Sequence, residues 1–281
     1  MKTQEKLYQD YGTYNILYNQ LNMPSPSVEY SWRKTKKLLQ CEALRILKMK
    51  SGKQRQSISI ADLGCGNGAL LIRLGQIAQS LGLKAEFSGY DISKSFINYA
   101  NQAAKEKRIS NISFHLLDIE KDNLIKKFDI IICSEVLEHL RSPKKALKKT
   151  YNWLKPKGFL LISTPNAKNP IKYPLFFLKR TVSDLNAREL IPFLTHKEQT
   201  YKLAELEQHL HIFSYGQLKK MLTNSGFTIY KSKRSTTFFG GSFLDNHPLI
   251  FAATIIFDSL LDILFFPQIG WDNIIFAQKA K

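Results

Sequence analysis

The sequence contains little cysteine, no low-complexity run and no repeat of fixed period. Its three cysteines, Cys41, Cys65 and Cys133, lie far apart and match neither a zinc site nor a disulfide framework. The absence of Gly/Pro-rich runs and of a repeat excludes collagen-like and solenoid proteins. The first residues contain no apolar signal core, so we expect a protein of the reducing cytoplasm.

Acidic residues are also scarce relative to basic ones. Lys and Arg number 41 against 23 Asp and Glu, which gives a formal net charge of +18 with histidine neutral. Such an excess favours RNA, anionic lipid or a phosphorylated substrate as partner, although ordinary lysine-rich surfaces show it too. Because 44% of the 281 residues are hydrophobic, the chain can bury a large core and is not a disordered protein.

Short β-branched runs alternate with helical stretches along most of the chain. This pattern predicts an α/β fold with a doubly wound, mostly parallel, seven-stranded Rossmann-like sheet. Residues 1–52 are expected to form a helical segment, residues 53–281 the sheet domain, and residues 166–208 a cap inserted into it. Strands are expected at 57–63, 85–90, 112–117, 128–133, 158–163, 227–231 and 273–278. A helix is expected to start after Ser27 and to run through 32–49, and further helices are expected at 68–81, 93–107, 144–154 and 215–225.

An apolar segment at residues 248–266 requires separate treatment. Fourteen of its 19 residues are Ala, Ile, Leu or Phe, and none is Lys or Arg. As a helix it would be about 28 Å long, close to the ~30 Å hydrocarbon core of a bilayer. Thr254, Asp258 and Asp262 form a polar stripe, however, and two carboxylates are costly in lipid. We therefore expect an amphipathic helix that packs on the sheet or lies in a membrane interface.

The strongest chemical signal is the run IADLGCGNG at residues 60–68. A buried strand leads into a glycine turn that permits close approach of a ligand, and the next helix offers free N–H groups. Gly64, Gly66 and Ala69 also satisfy the looser dinucleotide fingerprint. Asp62 argues against that cofactor, because a carboxylate there would repel a pyrophosphate but not a cationic amino acid. Gly68 adds a third glycine to the turn.

Two further carboxylates follow the second and third predicted strands. Asp91 ends the run SGYD and is suited to a ribose diol, whereas Asp118 ends the run LLD and is suited to the exocyclic amine of adenine. In a parallel sheet both would lie at the carboxyl edge, where ligands bind. The three acidic positions together favour a nucleoside cofactor that carries positive charge.

These motifs, in this order over roughly residues 27–235, resemble the class I S-adenosylmethionine-dependent methyltransferases. The first three motifs of that family resemble the runs ADLGCGNG, GYDIS and HLLDIE. Its fourth and fifth strand regions resemble FDIIICSEVLEHL and GFLLISTPN, and its late helix resembles HLHIFSYGQLKKMLTNSGF. The resemblance implies that residues 53–281 bind S-adenosyl-L-methionine. The glycines would approach the cofactor, Ser134 would line its methionine end, and Arg33 would meet its carboxylate. The implied cofactor-binding residues are Asp62, Gly64, Cys65, Gly66, Gly68, Asp91, Ile92, Asp118, Ile119, Ser134 and Arg33.

The run EVLEH at residues 135–139 follows the fourth predicted strand. If it turns as a helix, Glu135, Glu138 and His139 share one face and could hold Mg²⁺ or a similar ion. The run resembles that of two groups of enzymes, the ubiquinone-biosynthesis O-methyltransferases and the small-RNA 2′-O-methyltransferases. The RNA group has a further histidine downstream of this run. His209 falls at that place, with His211 as its competitor.

Metal-free members of the family carry a similar run, so two roles stay open. The candidate catalytic residues are His139, His209 and Glu138, with a histidine as base or as a structural hydrogen bonder. The candidate metal ligands are Glu135, Glu138, His139 and His209.

The sequence therefore predicts a methyltransferase that O-methylates a small, apolar or lipid-linked acceptor. The alternative is an RNA 2′-O-methyltransferase, which the net charge favours, although no RNA-stacking module is evident. A non-catalytic cofactor-binding subunit and a nicotinamide-dependent dehydrogenase are more distant alternatives. The expected location is the cytoplasm, with peripheral contact to the inner face of a membrane through residues 248–266.

Overall fold

The computed structural model describes residues 26–52, 57–169, 209–237, 242–264 and 269–280. Seven strands, seven α-helices and one 3-10 helix are assigned in these ranges. The strands are β1 Ile58–Leu63, β2 Ala85–Asp91, β3 Ile112–Leu116, β4 Phe128–Ser134, β5 Leu154–Pro165, β6 Phe227–Arg234 and β7 Asp272–Lys279. The helices are α1 Pro26–Ser51, α2 Ala69–Ser80, α3 Lys94–Glu106, α4 Pro143–Trp153, α5 Tyr215–Asn224, α6 Ser242–Asn246 and α7 Pro248–Leu264.

The strands form one sheet in the order β3-β2-β1-β4-β5-β7-β6. Neighbours from β3 to β5 pair in parallel, and β7 runs antiparallel to both β5 and β6. The expectation of a mostly parallel, seven-stranded Rossmann-like sheet is confirmed. The strand order reverses between β1 and β4, and ligands of such sheets bind outside the carboxyl ends of the strands at that point.

The core lies on both faces of the sheet. β1 and β4 are buried along almost their whole length, as expected for strands covered by helices on two sides. Phe87, Phe128 and Phe276 are among the largest fully buried side chains. This packing fixes the carboxyl edge of the sheet.

Helix α1 packs on the sheet rather than standing apart from it. Leu39, Ala43, Ile46 and Leu47 follow one another at helical spacing and are all fully buried. The helix begins at Pro26, close to the expected restart after Ser27, and proline is favoured in the first helical turn. Residues 1–25 of the expected helical segment lie outside the described residues.

Strand β5 is longer than the six residues expected at 158–163. It begins at Leu154, directly after α4, because Leu154 pairs with Phe128 before a register shift near Ile130. Residues 166–169 of the expected cap continue from the end of β5, and residues 170–208 lie outside the described residues.

The connection between β6 and β7 carries α6 and α7. The expected helix at 248–266 is confirmed as far as Leu264. Within the described ranges, no helix combines the length and the apolar character that crossing a bilayer requires. The apolar side chains of α7 are largely exposed, and its polar stripe faces the protein, which reverses the usual arrangement of a helix packed on a sheet.

Candidate functional site

The glycine turn between β1 and α2 lies at the point where the strand order reverses. Gly64 and Gly66 have φ angles of +70° and +52°, in the left-handed region that favours glycine. A Cβ atom on Gly64 would overlap the Val136 side chain, whereas one on Gly66 would meet nothing within 4 Å. The backbone at Gly66 is therefore open to a ligand, and the backbone at Gly64 is held by close packing.

Asp91 ties this turn to the end of β2. One carboxylate oxygen accepts the Gly66 N–H and the other accepts the Ser93 N–H, each at 2.8 Å. Burial raises the pKa of Asp91, and the N–H donors act in the opposite direction without overcoming it. The remaining lone pairs of this carboxylate can accept hydroxyl groups of a ligand.

Asp62 is a buried carboxylate at the end of β1. Desolvation, strengthened by the charge of Asp91, raises the pKa of Asp62 to about 8, and Lys36 acts in the opposite direction. Among the described residues, no salt bridge to Asp62 is found. A cation entering the cleft would therefore favour its ionised form.

Asp118 follows β3 at the same edge of the sheet. Burial alone would raise its pKa, but the Lys121 ammonium and the N–H groups of Glu120 and Lys121 outweigh burial and lower it. The Lys121 Nζ lies 3.1 Å from the carboxylate. Asp118 is thus ionised at neutral pH and able to accept a hydrogen bond. Ile92 and Ile119 flank these acids, with Ile119 buried.

The carboxyl ends of β4 and β5 are joined by a chain of hydrogen bonds. The Ser134 and Ser163 hydroxyl oxygens lie 3.0 Å apart, and the Ser163 hydroxyl donates to Glu135 at 2.6 Å. Glu135 has a φ of +54°, which is rare for a residue with a side chain and is typical of functional sites. Ser163 was not expected from the sequence, because only the pairing of β4 with β5 places it here.

Arg33 and Lys36 lie three residues apart on α1 but have different surroundings. Arg33 is largely exposed and forms an ion pair with Glu29 on the helix surface. Lys36 is accessible to solvent but is surrounded by protein in the cleft. Desolvation therefore lowers the pKa of Lys36, while Asp62 and Glu135 act in the opposite direction.

One turn after Lys36, the Gln40 side chain donates to the Leu70 carbonyl at 3.1 Å and ties α1 to the helix that follows the glycine turn. Lys36, and not Arg33, is the cation that the structure brings to the acids of the cleft. Lys36 lies three residues before the buried Leu39 and therefore close to the buried face of α1.

Glu138, His139 and His209 form a cluster whose nearest ligand atoms lie within 4.8 Å of one another. The two imidazole rings are 4.9 Å apart between centroids, and His139 Nε2 lies 3.9 Å from a carboxylate oxygen of the fully buried Glu138. The Leu210 and His211 N–H groups donate to the Glu138 carbonyl at 2.8 and 3.0 Å, which holds His209 in place. His211 instead stacks on Phe213.

The expected helical turn at residues 135–139 is corrected. A 3-10 helix covers only Leu137–His139, and the left-handed backbone of Glu135 directs that residue toward Ser163. Glu135 is therefore outside the cluster, and His209 completes it.

A family model described as "Methyltransferase domain" matches residues 54–226, which is more than half of the chain. The chain belongs to the class I S-adenosylmethionine-dependent methyltransferase family. This result agrees with the sheet order and with the resemblance seen in the motifs.

Curated relatives of this methyltransferase chain align over part of their length. A ubiquinone biosynthesis O-methyltransferase of Coxiella burnetii is 36% identical over 110 residues, 38% of this chain and 43% of that protein. The (S)-coclaurine N-methyltransferase of Papaver somniferum is 29% identical over 120 residues, 43% of this chain and 33% of that protein. The matched region spans less than half the length of these relatives.

Solved structures establish the fold. The magnesium protoporphyrin IX methyltransferase of Synechocystis, with SAH bound, has a TM-score of 0.60 at 17% identity and covers 99% of this chain and 100% of that one. The [4+2]-cyclase SpnF has a TM-score of 0.61 at 16% identity, covering 99% and 97%. Because one of these neighbours is named for a cyclisation, the fold by itself does not determine the reaction.

Proposed function

We propose that the protein transfers a methyl group from S-adenosylmethionine to a hydroxyl oxygen of a small, apolar or lipid-linked acceptor. The observation that carries this proposal is the meeting of two groups of residues at one sheet edge. The acids of the glycine turn suit a cationic nucleoside cofactor, and Glu138, His139 and His209 supply acid–base groups close to it. The named O-methyltransferase relatives support the choice of oxygen as acceptor atom.

The cofactor-binding roles follow from the geometry of the cleft. Asp91 would accept the ribose hydroxyls and Asp118 the adenine amine, with the hydrophobic side chains of Ile92 and Ile119 beside the base. Gly66 leaves open space for the ligand. We assign the cofactor carboxylate to Lys36 in place of Arg33, because only Lys36 lies in the cleft.

Asp62 would stabilise the positive charge of the bound amino acid end, with Gly64, Cys65, Gly68 and Ser134 shaping the wall around it. When bound, S-adenosylmethionine supplies an electrophilic methyl group on a positively charged sulfur. The residues of the cleft hold and orient it, which is the main requirement of a displacement reaction.

His139 would accept the proton of the acceptor hydroxyl. Glu138 is fully buried beside it, and a carboxylate at this position would stabilise the protonated imidazole. His209, whose ring lies against that of His139, would orient the acceptor or the base. In this mechanism the proton moves from the acceptor oxygen to an imidazole nitrogen as the methyl group is transferred.

The same three residues fit a divalent metal ion. Two imidazoles and one carboxylate within 4.8 Å suit a transition ion better than Mg²⁺, which prefers oxygen ligands. Glu138, His139 and His209 would hold such an ion, and it would lower the pKa of an acceptor hydroxyl. Glu135 is not part of this set.

The two segments expected from the sequence have different roles in this proposal. We propose that α1, within the segment 1–52, forms one wall of the cofactor cleft, and that residues 53–281 form the methyltransferase domain. The cap at residues 166–208 begins where β5 ends, beside the acceptor side of the site. Its aromatic and leucine-rich composition supports an apolar acceptor.

The test uses purified protein, cell extract and cofactor with a labelled methyl group. After the reaction, the organic phase, the aqueous metabolites and the nucleic acid are separated and counted. Label in the organic phase is the expected result, and its loss in the His139→Ala variant would tie it to this site. Label that only nuclease releases would instead establish an RNA acceptor and overturn the proposal.

A further inference from the structure

Helix α7 is anchored to the protein through its polar stripe. The buried Asp258 carboxylate accepts from Arg234 Nη1 at 3.0 Å and from the Thr237 N–H at 2.8 Å. Arg234 Nη2 also donates to Asp262 at 2.8 Å. These contacts fix the rotation of the helix about its axis, so that its opposite face points away from the sheet.

That opposite face is apolar and exposed. Leu249, Ile256, Leu260 and Ile263 are 86%, 63%, 55% and 80% exposed, and they follow one another along the side of α7 away from Asp258. The helix is about 25 Å long at ~1.5 Å per residue. A continuous apolar strip of this kind on a protein surface indicates a contact with an apolar partner.

Basic residues of α1 lie near α7. The Tyr30 ring packs 5.8 Å from that of Phe251, and Lys34 Nζ lies 2.8 Å from Asp262, so this side of α1 borders α7. Arg33 and Lys37, one helical turn apart, are exposed next to these contacts. The acids of this region, Glu29, Asp258 and Asp262, are each paired with a cation, and the exposed Lys37 adds positive charge beside them.

We propose that this surface, the outer face of α7 together with Arg33 and Lys37, docks the protein on an anionic lipid bilayer. Apolar side chains would enter the interface with the helix lying in its plane, and the two cations of α1 would meet anionic headgroups. The net charge of +18 acts in the same direction. Membrane binding stands apart from methyl transfer, because it can be measured without cofactor or acceptor.

The position of α7 gives this docking a consequence. The helix lies in the connection from the end of β6 to the start of β7, and Thr35 of α1 donates to Asp272 at the same edge at 2.7 Å. This is the carboxyl edge that carries the cofactor cleft. Docking would therefore place the opening of the site near lipid.

The test is flotation of the full chain with vesicles of phosphatidylcholine alone or mixed with phosphatidylglycerol. The wild type is expected to float with the mixed vesicles, less at high salt. Ile263→Glu is expected to lower the partition coefficient at least about tenfold, since it removes one large inserted side chain. Lys37→Glu is expected to lower it about fivefold on mixed vesicles and little on neutral ones.

The matched control is Ile125→Glu, because Ile125 is 97% exposed in the loop between β3 and β4, outside this surface. This variant is expected to float like the wild type. Equal flotation of Ile263→Glu and the wild type would overturn the proposal. So would absence of flotation with both vesicle types.

Two other occupants give different results. If a second copy covers the strip, the wild type is a dimer without vesicles, Ile263→Glu is a monomer, and neither floats. If another part of the chain covers the strip, Ile263→Glu lowers the midpoint of thermal unfolding far more than Ile125→Glu does. In that case, too, neither the wild type nor the variant floats with vesicles. Either result would show that the strip contacts protein instead of a bilayer, and would overturn the proposal.

Discussion

The cofactor cleft and the anchor of α7 both bury aspartates, but they neutralise them differently. At the anchor, Asp258 meets the buried Arg234, and the charges balance within the chain. In the cleft, burial and the nearby charge of Asp91 raise the pKa of Asp62, and Lys36 compensates only in part. A carboxylate matched by an internal cation indicates a structural role, whereas one with a raised pKa in an open cleft indicates a site for a cationic ligand.

The largest expected effect is a loss of stability when the ion pair between Arg234 and Asp258 is broken. Arg234→Met should lower the free energy of unfolding by about 3–5 kcal/mol, because it leaves the Asp258 carboxylate buried without its cation. Denaturant titration followed by circular dichroism would measure it. The double variant Arg234→Met/Asp258→Leu is the control and should recover most of the loss. If the single variant loses less than about 1 kcal/mol, the anchor is not what holds α7.

The next largest expected effect is on the affinity of the cofactor cleft for its ligand. Asp91→Ala should weaken S-adenosylhomocysteine binding about a hundredfold, because a charged acceptor of hydrogen bonds is removed. Isothermal titration calorimetry would measure the change in Kd. Since Asp91 also holds the Gly66 and Ser93 N–H groups, Asp91→Asn serves as the control for the fold of the turn. Unchanged affinity in Asp91→Ala would reject the ribose role.

A smaller effect separates the two basic residues of α1. Lys36→Met should weaken cofactor binding about tenfold, and Arg33→Met should change it less than about twofold, because only Lys36 faces the acids of the cleft. Both variants keep a long side chain in the helix, so their stabilities should be similar. The opposite order of effects would restore Arg33 as the partner of the cofactor carboxylate.

The sheet and the glycine turn could be predicted from the sequence because their signals are local. Strand and helix periods alternate along the chain, and glycine at positions 64, 66 and 68 marks backbone that other residues rarely adopt. The same holds for Asp91 and Asp118, which end predicted strands whose carboxyl ends must meet.

Other features could not be predicted, because partners distant in sequence decide them. Arg234 lies 24 residues before Asp258, and their pairing, which hydropathy does not reveal, determines that α7 turns its polar stripe toward the protein and buries Asp258. Glu135 leaves the expected helical face because Ser163, 28 residues later, hydrogen-bonds to it. The sequence motif favours Arg33 over Lys36, because the rotation of α1 depends on its packing against the sheet.

The most direct test of the central claim is the pH dependence of S-adenosylhomocysteine binding. Burial and Asp91 raise the pKa of Asp62 to about 8, and the ammonium group of the ligand's amino acid end favours the ionised form. Below that pH, binding must displace the proton. The affinity of the wild type should therefore rise between about pH 6.5 and pH 8, at most tenfold per pH unit, and then level off.

Calorimetry in buffers of different ionisation enthalpy would detect the released proton. Asp62→Asn should bind more weakly at pH 8 and lose both the slope and the proton release. A wild-type affinity that is constant over this range, matched by an unchanged Asp62→Asn, would contradict the account.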